Sequence, residues 1–122
     1  MSKFQAPRTL SFKAEADLSS KKYHAVKLGT NAGEVNAAAA GEGIGILMND
    51  PELGCYAEVA MLGGGAMGHS GAAIAKGAEL AADADGKLIT AVAGNIVLGI
   101  ALEAVAGADT YFEMERVYYV KA

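Results

Sequence analysis

The sequence predicts a mainly β protein: a compact small β-barrel or β-sandwich built from two similar halves, with one or two short helical turns and an extended N-terminal arm. Three observations carry this. The chain of 122 residues matches itself at an offset near 53. Its aliphatic runs are short and bounded by glycine-containing turns, and no segment shows the apolar stripe of a sustained helix.

In the first half, Ala32-Gly33-Glu34-Val35 leads through Ala40-Gly41 and Ile44-Gly45-Ile46-Leu47 to Tyr56-Ala57-Glu58-Val59. In the second, Asp85-Gly86-Lys87-Leu88 leads through Ala93-Gly94 and Leu98-Gly99-Ile100-Ala101 to Tyr111-Phe112-Glu113-Met114. Gly33 and Gly86, Gly41 and Gly94, and Gly54 and Gly107 are 53 apart, whereas Gly45 and Gly99 are 54 apart and Glu58 and Glu113 are 55 apart. Small insertions account for the drift. An Ala/Gly-rich composition also produces self-similarity by chance. The halves are placed at about 22–62 and 76–120, in one β-rich domain over 21–122 that follows an arm over 1–20.

The arm contains Pro7 and alternates as Leu10, Phe12, Ala14, Ala16 and Leu18, the pattern of a segment that adds a strand to a neighbouring sheet; terminal disorder is the competing reading. Asp85-Gly86 is a two-residue hairpin signal of type I′, and Ala32-Gly33 is a weaker copy. Asn36 and Ser70 are placed to cap one or two helical turns over 36–40 and 70–76, each too short to dominate a fold. Residues 49–52 form a turn around Pro51. Residues 96–102 form a strand in which Gly99 marks a bulge or a close backbone approach. The last strand, 110–120, places Phe112, Met114, Tyr118 and Val120 on one parity and Glu113 and Glu115 on the other.

At 52% hydrophobic and 20% charged, with mean hydropathy +0.24, the chain has the apolar content to fold. That content rests on alanine beside three Phe, five Tyr and no Trp, so self-association is an expected further source of burial. A net charge of −4 argues against nucleic-acid binding by the whole surface. Residues 1–27 nevertheless carry six basic and two acidic side chains, against four and twelve in the remainder. A basic front end either docks on an acidic partner or keeps an arm solvated. The single cysteine, Cys55, excludes an intramolecular disulfide and a thiolate metal site. The first twenty residues lack the apolar core of a signal peptide, and the longest aliphatic run is far below the roughly twenty residues of a membrane helix. A soluble protein without a membrane partner is expected.

Candidate chemistry is sparse. Gly63, Gly65 and Gly68 satisfy G-x-G-x-x-G, with Asp83 and Asp85 about twenty residues on. A dinucleotide site also needs a sustained helix after the loop, and Gly71 and Gly77 limit it to two turns. A nucleotide-binding protein therefore stands as an alternative, as does a bacterial β-rich adaptor that binds a peptide at a sheet edge. His24 and His69 show no metal-ligand spacing. Ser70, His69 and a distant Asp lack the elbow of a nucleophilic triad. Cys55 has no basic sequence neighbour to activate it, and Glu113 and Glu115 read as a solvated pair. Lys21-Lys22-Tyr23-His24 is a single basic and aromatic cluster, too little for a nucleic-acid site. No catalytic, cofactor-binding or metal residues are assigned.

The phrase Lys76-Gly77-Ala78-Glu79-Leu80, then Asp83-Ala84-Asp85-Gly86-Lys87-Leu88, then Ala93-Gly94 and Val97-Leu98-Gly99-Ile100-Ala101-Leu102-Glu103-Ala104 before a terminal strand, resembles the bacteriophage head decoration, or capsid cement, proteins. The likeness is clearest over 76–120 and fainter over 22–62. It implies a non-enzymatic virion protein, made in the host cytoplasm, that sits on the outer capsid surface, contacts the major capsid protein and staples neighbouring subunits, commonly as a homotrimer. On that reading Phe4, Pro7, Arg8, Leu10, Phe12 and Lys13 of the arm are the candidate capsid contacts. Tyr111, Glu113, Glu115, Arg116 and Tyr118 of the last strand are the candidate oligomer interface.

Overall fold

Two sets of five short strands make up the protein in a computed structural model that describes residues 8–122. The first set is β1 (Thr9–Ala14), β2 (Ala25–Leu28), β3 (Glu34–Ala37), β4 (Gly45–Leu47) and β5 (Tyr56–Ala60). The second is β6 (Gly65–His69), β7 (Glu79–Ala82), β8 (Leu88–Thr90), β9 (Ile96–Ala101) and β10 (Tyr111–Val120). The first set closes into a barrel in the order β1-β3-β2-β4-β5, with β1 parallel to β3 and antiparallel to β5. The second runs β6-β10-β9-β7-β8, and a parallel bridge from Ser70 to Leu88 joins its two edges just as Ala14 meets Val35 in the first. Strand for strand, β6 to β10 repeat the connectivity of β1 to β5.

Each repeat therefore begins one strand earlier than the sequence phrases suggest. The expected arm over 1–20 contains β1, which pairs on both sides within its own barrel, and Ala14 and Leu18 are buried in that barrel's core. Its alternation is that of an internal strand, with Phe12 packed against the same core. Phe4 and Pro7 lie outside the described residues. Likewise the glycine-rich segment between the halves is β6, the counterpart of β1, with Gly63 and Gly64 in the turn before it.

Side-chain size is traded between the counterparts. Phe12 of β1 faces Ala57 of β5, whereas Gly68 of β6 faces Phe112 of β10. A Cβ on Gly68 would lie 2.9 Å from the Phe112 ring, so the glycine is the space its neighbour fills.

No helix forms among the described residues. Asn36 lies in β3 and Ser70 in a β-bridge, because pairing partners outweigh the alanine propensity of segments too short to hold a helix alone. The hairpin at Asp85-Gly86 is longer than expected. Gly86 N–H donates to Asp83 O (3.0 Å) and only Gly86 is left-handed (φ 83°), a three-residue loop ending in a glycine bulge. The last strand departs from simple alternation: its ladder to β9 slips between Arg116 and Tyr119. Phe112 and Met114 point inward as expected, Arg116 follows them, and the bulge leaves Tyr118 and Val120 exposed.

Gly45 and Gly99 occupy equivalent places in the two barrels. A Cβ on Gly45 would stand 2.7 Å from Ala60 O, and one on Gly99 would stand 2.9 Å from Glu115 O. Backbone cannot give way as a side chain can. Gly45→Ala and Gly99→Ala are each expected to cost about 1–3 kcal/mol, the range for overpacking a filled site. Urea unfolding of the two variants checks this; midpoints equal to that of the native protein would refute the close approach.

Candidate functional site at the seam of the two barrels

Arg116 is 4% exposed, at the point where the barrels meet. Its guanidinium donates four hydrogen bonds, all to main-chain carbonyls. Nε reaches Ala60 O (3.2 Å) and Nη2 reaches Ile44 O (3.0 Å) in the first barrel. Nη1 reaches Val117 O (2.9 Å) and Leu98 O in the second. Burial pushes its pKa down to about 10, which leaves it charged at neutral pH. Further main-chain bonds cross the same seam: Ala25 N to Gly86 O (2.7 Å), Gly41 N to Ala82 O (2.9 Å) and Ile96 N to Gly41 O (2.9 Å). The larger core cluster is continuous across it, joining Ala25, Ile46 and Ala60 to Leu80, Leu98, Phe112 and Met114.

At the other end of the β6–β10 ladder from this clamp lies a polar and aromatic cluster. The rings of His24 and His69 are 4.5 Å apart, and Tyr111 packs edge-on to Tyr23 at 5.0 Å. His24 is 2% exposed, and its Nδ1 meets Lys22 O at 3.2 Å. His69 N–H donates to Tyr23 O (3.0 Å), and its Nε2 meets Asp109 Oδ1 at 2.9 Å. Lys87 Nζ reaches the same oxygen at 2.9 Å. Hydrogen bonds from His69 and Lys87 hold the Asp109 carboxyl down at about 2, and Asp109 in turn raises the Lys87 ammonium. Burial lowers the His24 pKa, and the positive charges of Lys21 and Lys87 and a charged His69 act in the same direction.

The repeats also differ at this cluster. Ladder and hydrogen-bond register pair Tyr23 with Gly77, His24 with Ala78, Lys13 with His69 and Gly54 with Asp109. Gly54 and Gly77 are left-handed, at φ 80° and 85°. Asp109 and Tyr23 adopt the same backbone at φ 60° and 66°, the two non-glycine residues with positive φ among those described. An L-residue there costs roughly 1–2 kcal/mol. Both bear side chains that reach across or brace the seam, and their glycine counterparts do not.

The remaining candidates separate. Ser70 is adjacent to His69 in sequence but turned away from it. Its Oγ donates to Gly107 O (2.7 Å) and accepts from Thr110 N–H (3.1 Å), so no triad is assembled. Glycines 63–68 open into a strand rather than a helix, so the phosphate cradle that the nucleotide alternative requires is not formed. The first barrel is closed and leaves no free sheet edge of its own. Cys55 is exposed. Among the described residues no three His, Cys, Asp or Glu side chains converge on a metal position, and no helix is long and apolar enough to cross a membrane. Of the last-strand candidates, Tyr111 and Arg116 are engaged within the chain. Glu113, partly buried, and Glu115, exposed, face outward. Tyr118 lines a shallow apolar cleft of ≈ 220 Å³ with Ile44, Met61 and Leu62. Of the arm candidates, Arg8, Leu10 and Lys13 are exposed. The sequence reading passed over Arg116 as a core residue, although it shares the parity of Phe112 and Met114.

The body is thus duplicated, a closed barrel followed by a five-stranded sheet of the same connectivity. Comparison with known proteins gives the family: the chain matches the phage cement proteins over residues 5–117 and belongs to that family, which places it with the capsid-associated structural proteins of phages. Its fold is similar to that in the crystal structure of the head fiber gp8.5 N base in bacteriophage phi29, with a TM-score of 0.73 at 17% identity, covering 92% of this chain and 95% of that one. No curated protein matches the chain.

Buried His24 makes stability sensitive to mild acid. A folded-state pKa below the ordinary 6.5 means that the unfolded chain binds the proton more readily. The stabilisation is complete above pH 6.5 and is lost as pH falls from there towards the depressed value. Asp109 holds its charge until far lower pH. The melting temperature is therefore expected to be flat from pH 8 to 7 and to fall between pH 6.5 and 5, with the fall reduced in His24→Gln. An equal fall in both proteins would locate the acid sensitivity elsewhere.

Proposed function

We propose that this protein is a non-enzymatic cement that sits on the outer surface of an icosahedral phage capsid and bridges neighbouring major capsid subunits as a homotrimer. The observation that carries this reading is the duplicated body itself. Two barrels of one connectivity, fixed to each other by Arg116, are a rigid spacer, and a rigid spacer that touches two subunits resists their separation without a conformational cost. Membership of the cement family supports it, as does a fold shared with the base of a phage head fiber.

The capsid contact is assigned to the start of β1 and the chain before it. Arg8 and Leu10 face solvent there, with Phe4 and Pro7 preceding them, whereas Phe12 belongs to the barrel core. The excess of basic residues over 1–27 suits an acidic shell surface.

Undecorated capsids of the cognate phage, mixed with the purified protein, are expected to bind it and to disrupt at a higher temperature than bare capsids. Arg8→Glu/Leu10→Glu is expected to weaken that binding while leaving the protein's own melting unchanged. Native mass spectrometry of the free protein is expected to give three times 12.4 kDa. Binding without any shift in capsid disruption would argue against a bridging role.

A further inference from the structure

The seam is an unequal contact: one end of the first barrel covers a different face of the second. On the second barrel the covered face contains Ala82 and Gly86, with Tyr111 packed on Tyr23 at its rim and still 56% exposed. Ala82 is 2% exposed, and a Cβ on Gly86 would stand 2.9 Å from Ala25 O of the first barrel. The first barrel bears the same face, formed by their counterparts Leu28, Gly33 and Tyr56. Nothing covers it. Leu28 is 59% and Tyr56 66% exposed, and no atom lies within 4 Å of a Cβ on Gly33.

The complementary end is also repeated. Residues 21–25 of the first barrel do the covering, and their counterparts on the second are Ala75, Gly77 and Ala78, small and at least partly exposed, with exposed Lys76 and with Glu79, whose carboxylate is held by Lys121 and Tyr119. Each chain thus ends in one bare copy of each side of a contact it already makes internally. We infer that a second copy of this chain docks its 75–79 end on the Leu28 and Tyr56 face of the first, continuing the internal barrel-to-barrel contact between chains. The bare face carries Leu28 where the covered one has Ala82, and the bare end has Gly77 and Ala78 where the covering one has Tyr23 and His24. The bulk has moved from one side of the contact to the other. A head-to-tail contact of this kind closes into a ring when the rotation permits and otherwise extends. The inference rests on the self-association in the proposed function and names its interface, one repeat away from the Tyr111 and Arg116 face that the sequence suggested.

Native mass spectrometry of the full chain tests it with two variants. Leu28→Glu/Tyr56→Glu removes the receiving face and Ala75→Glu the docking end; all three positions are exposed, so far-UV circular dichroism and melting are expected to stay at native values. Each variant alone is expected to be a 12.4 kDa monomer. An equimolar mixture is expected to give a dimer and nothing larger, since one intact contact remains per pair. An oligomer that survives both variants would overturn this interface and leave the trimer standing. A native protein that is monomeric at tens of micromolar would overturn the interface and the trimer together.

Discussion

A buried guanidinium ties the two barrels together where their shared core and main-chain bonds cross the seam. Removing a charged group from water costs several kcal/mol, and Arg116 recovers this only because four carbonyls stand at the right places, two from each barrel. The planar fork of arginine addresses several acceptors at once, which the single ammonium of lysine cannot. Its counterpart in the first barrel is Met61, which has no such duty and lines an apolar cleft. The charge is thus an addition to one repeat, at the point where two copies of a small barrel had to become one body.

The same logic explains the histidine cluster. Duplication gives two barrels with identical ends, and a stable seam requires one pair of ends to diverge. At this seam the differing residues include Tyr23, His24, His69 and Asp109, two of which adopt backbone that the other repeat gives to glycine. A carboxylate shared between His69 and Lys87 then balances the positive charge gathered there. The result is one body in which the two barrels share a seam and a core.

Much of this was legible in the chain. Glycine spacing disclosed the duplication, because Gly45 and Gly99 answer the same backbone collision in each barrel, and a collision that recurs leaves a residue that recurs. The closing strands of each barrel, around Tyr56 and Tyr111, were legible for the same reason. β1 and β6 were hidden because they trade size with their partners: Phe12 against Gly68 looks like no match at all. Arg116 was hidden by its charge. Parity put it inside with Phe112 and Met114, but an arginine is read as a surface residue unless its acceptors are known, and those acceptors come from segments up to 72 residues away. The bulge after it reversed the parity of Tyr118 and Val120, and no local residue signals that slip.

Native-state hydrogen exchange of Arg116→Met tests the clamp most directly, since methionine is what the other repeat carries at this position. In the native protein the innermost amides of β5 and β9 are expected to exchange through one common opening. In the variant the two barrels are expected to separate into two openings of different free energy, with each barrel still folded. Amides of both barrels that continue to exchange together, at the native free energy, would contradict the claim that Arg116 makes them one body.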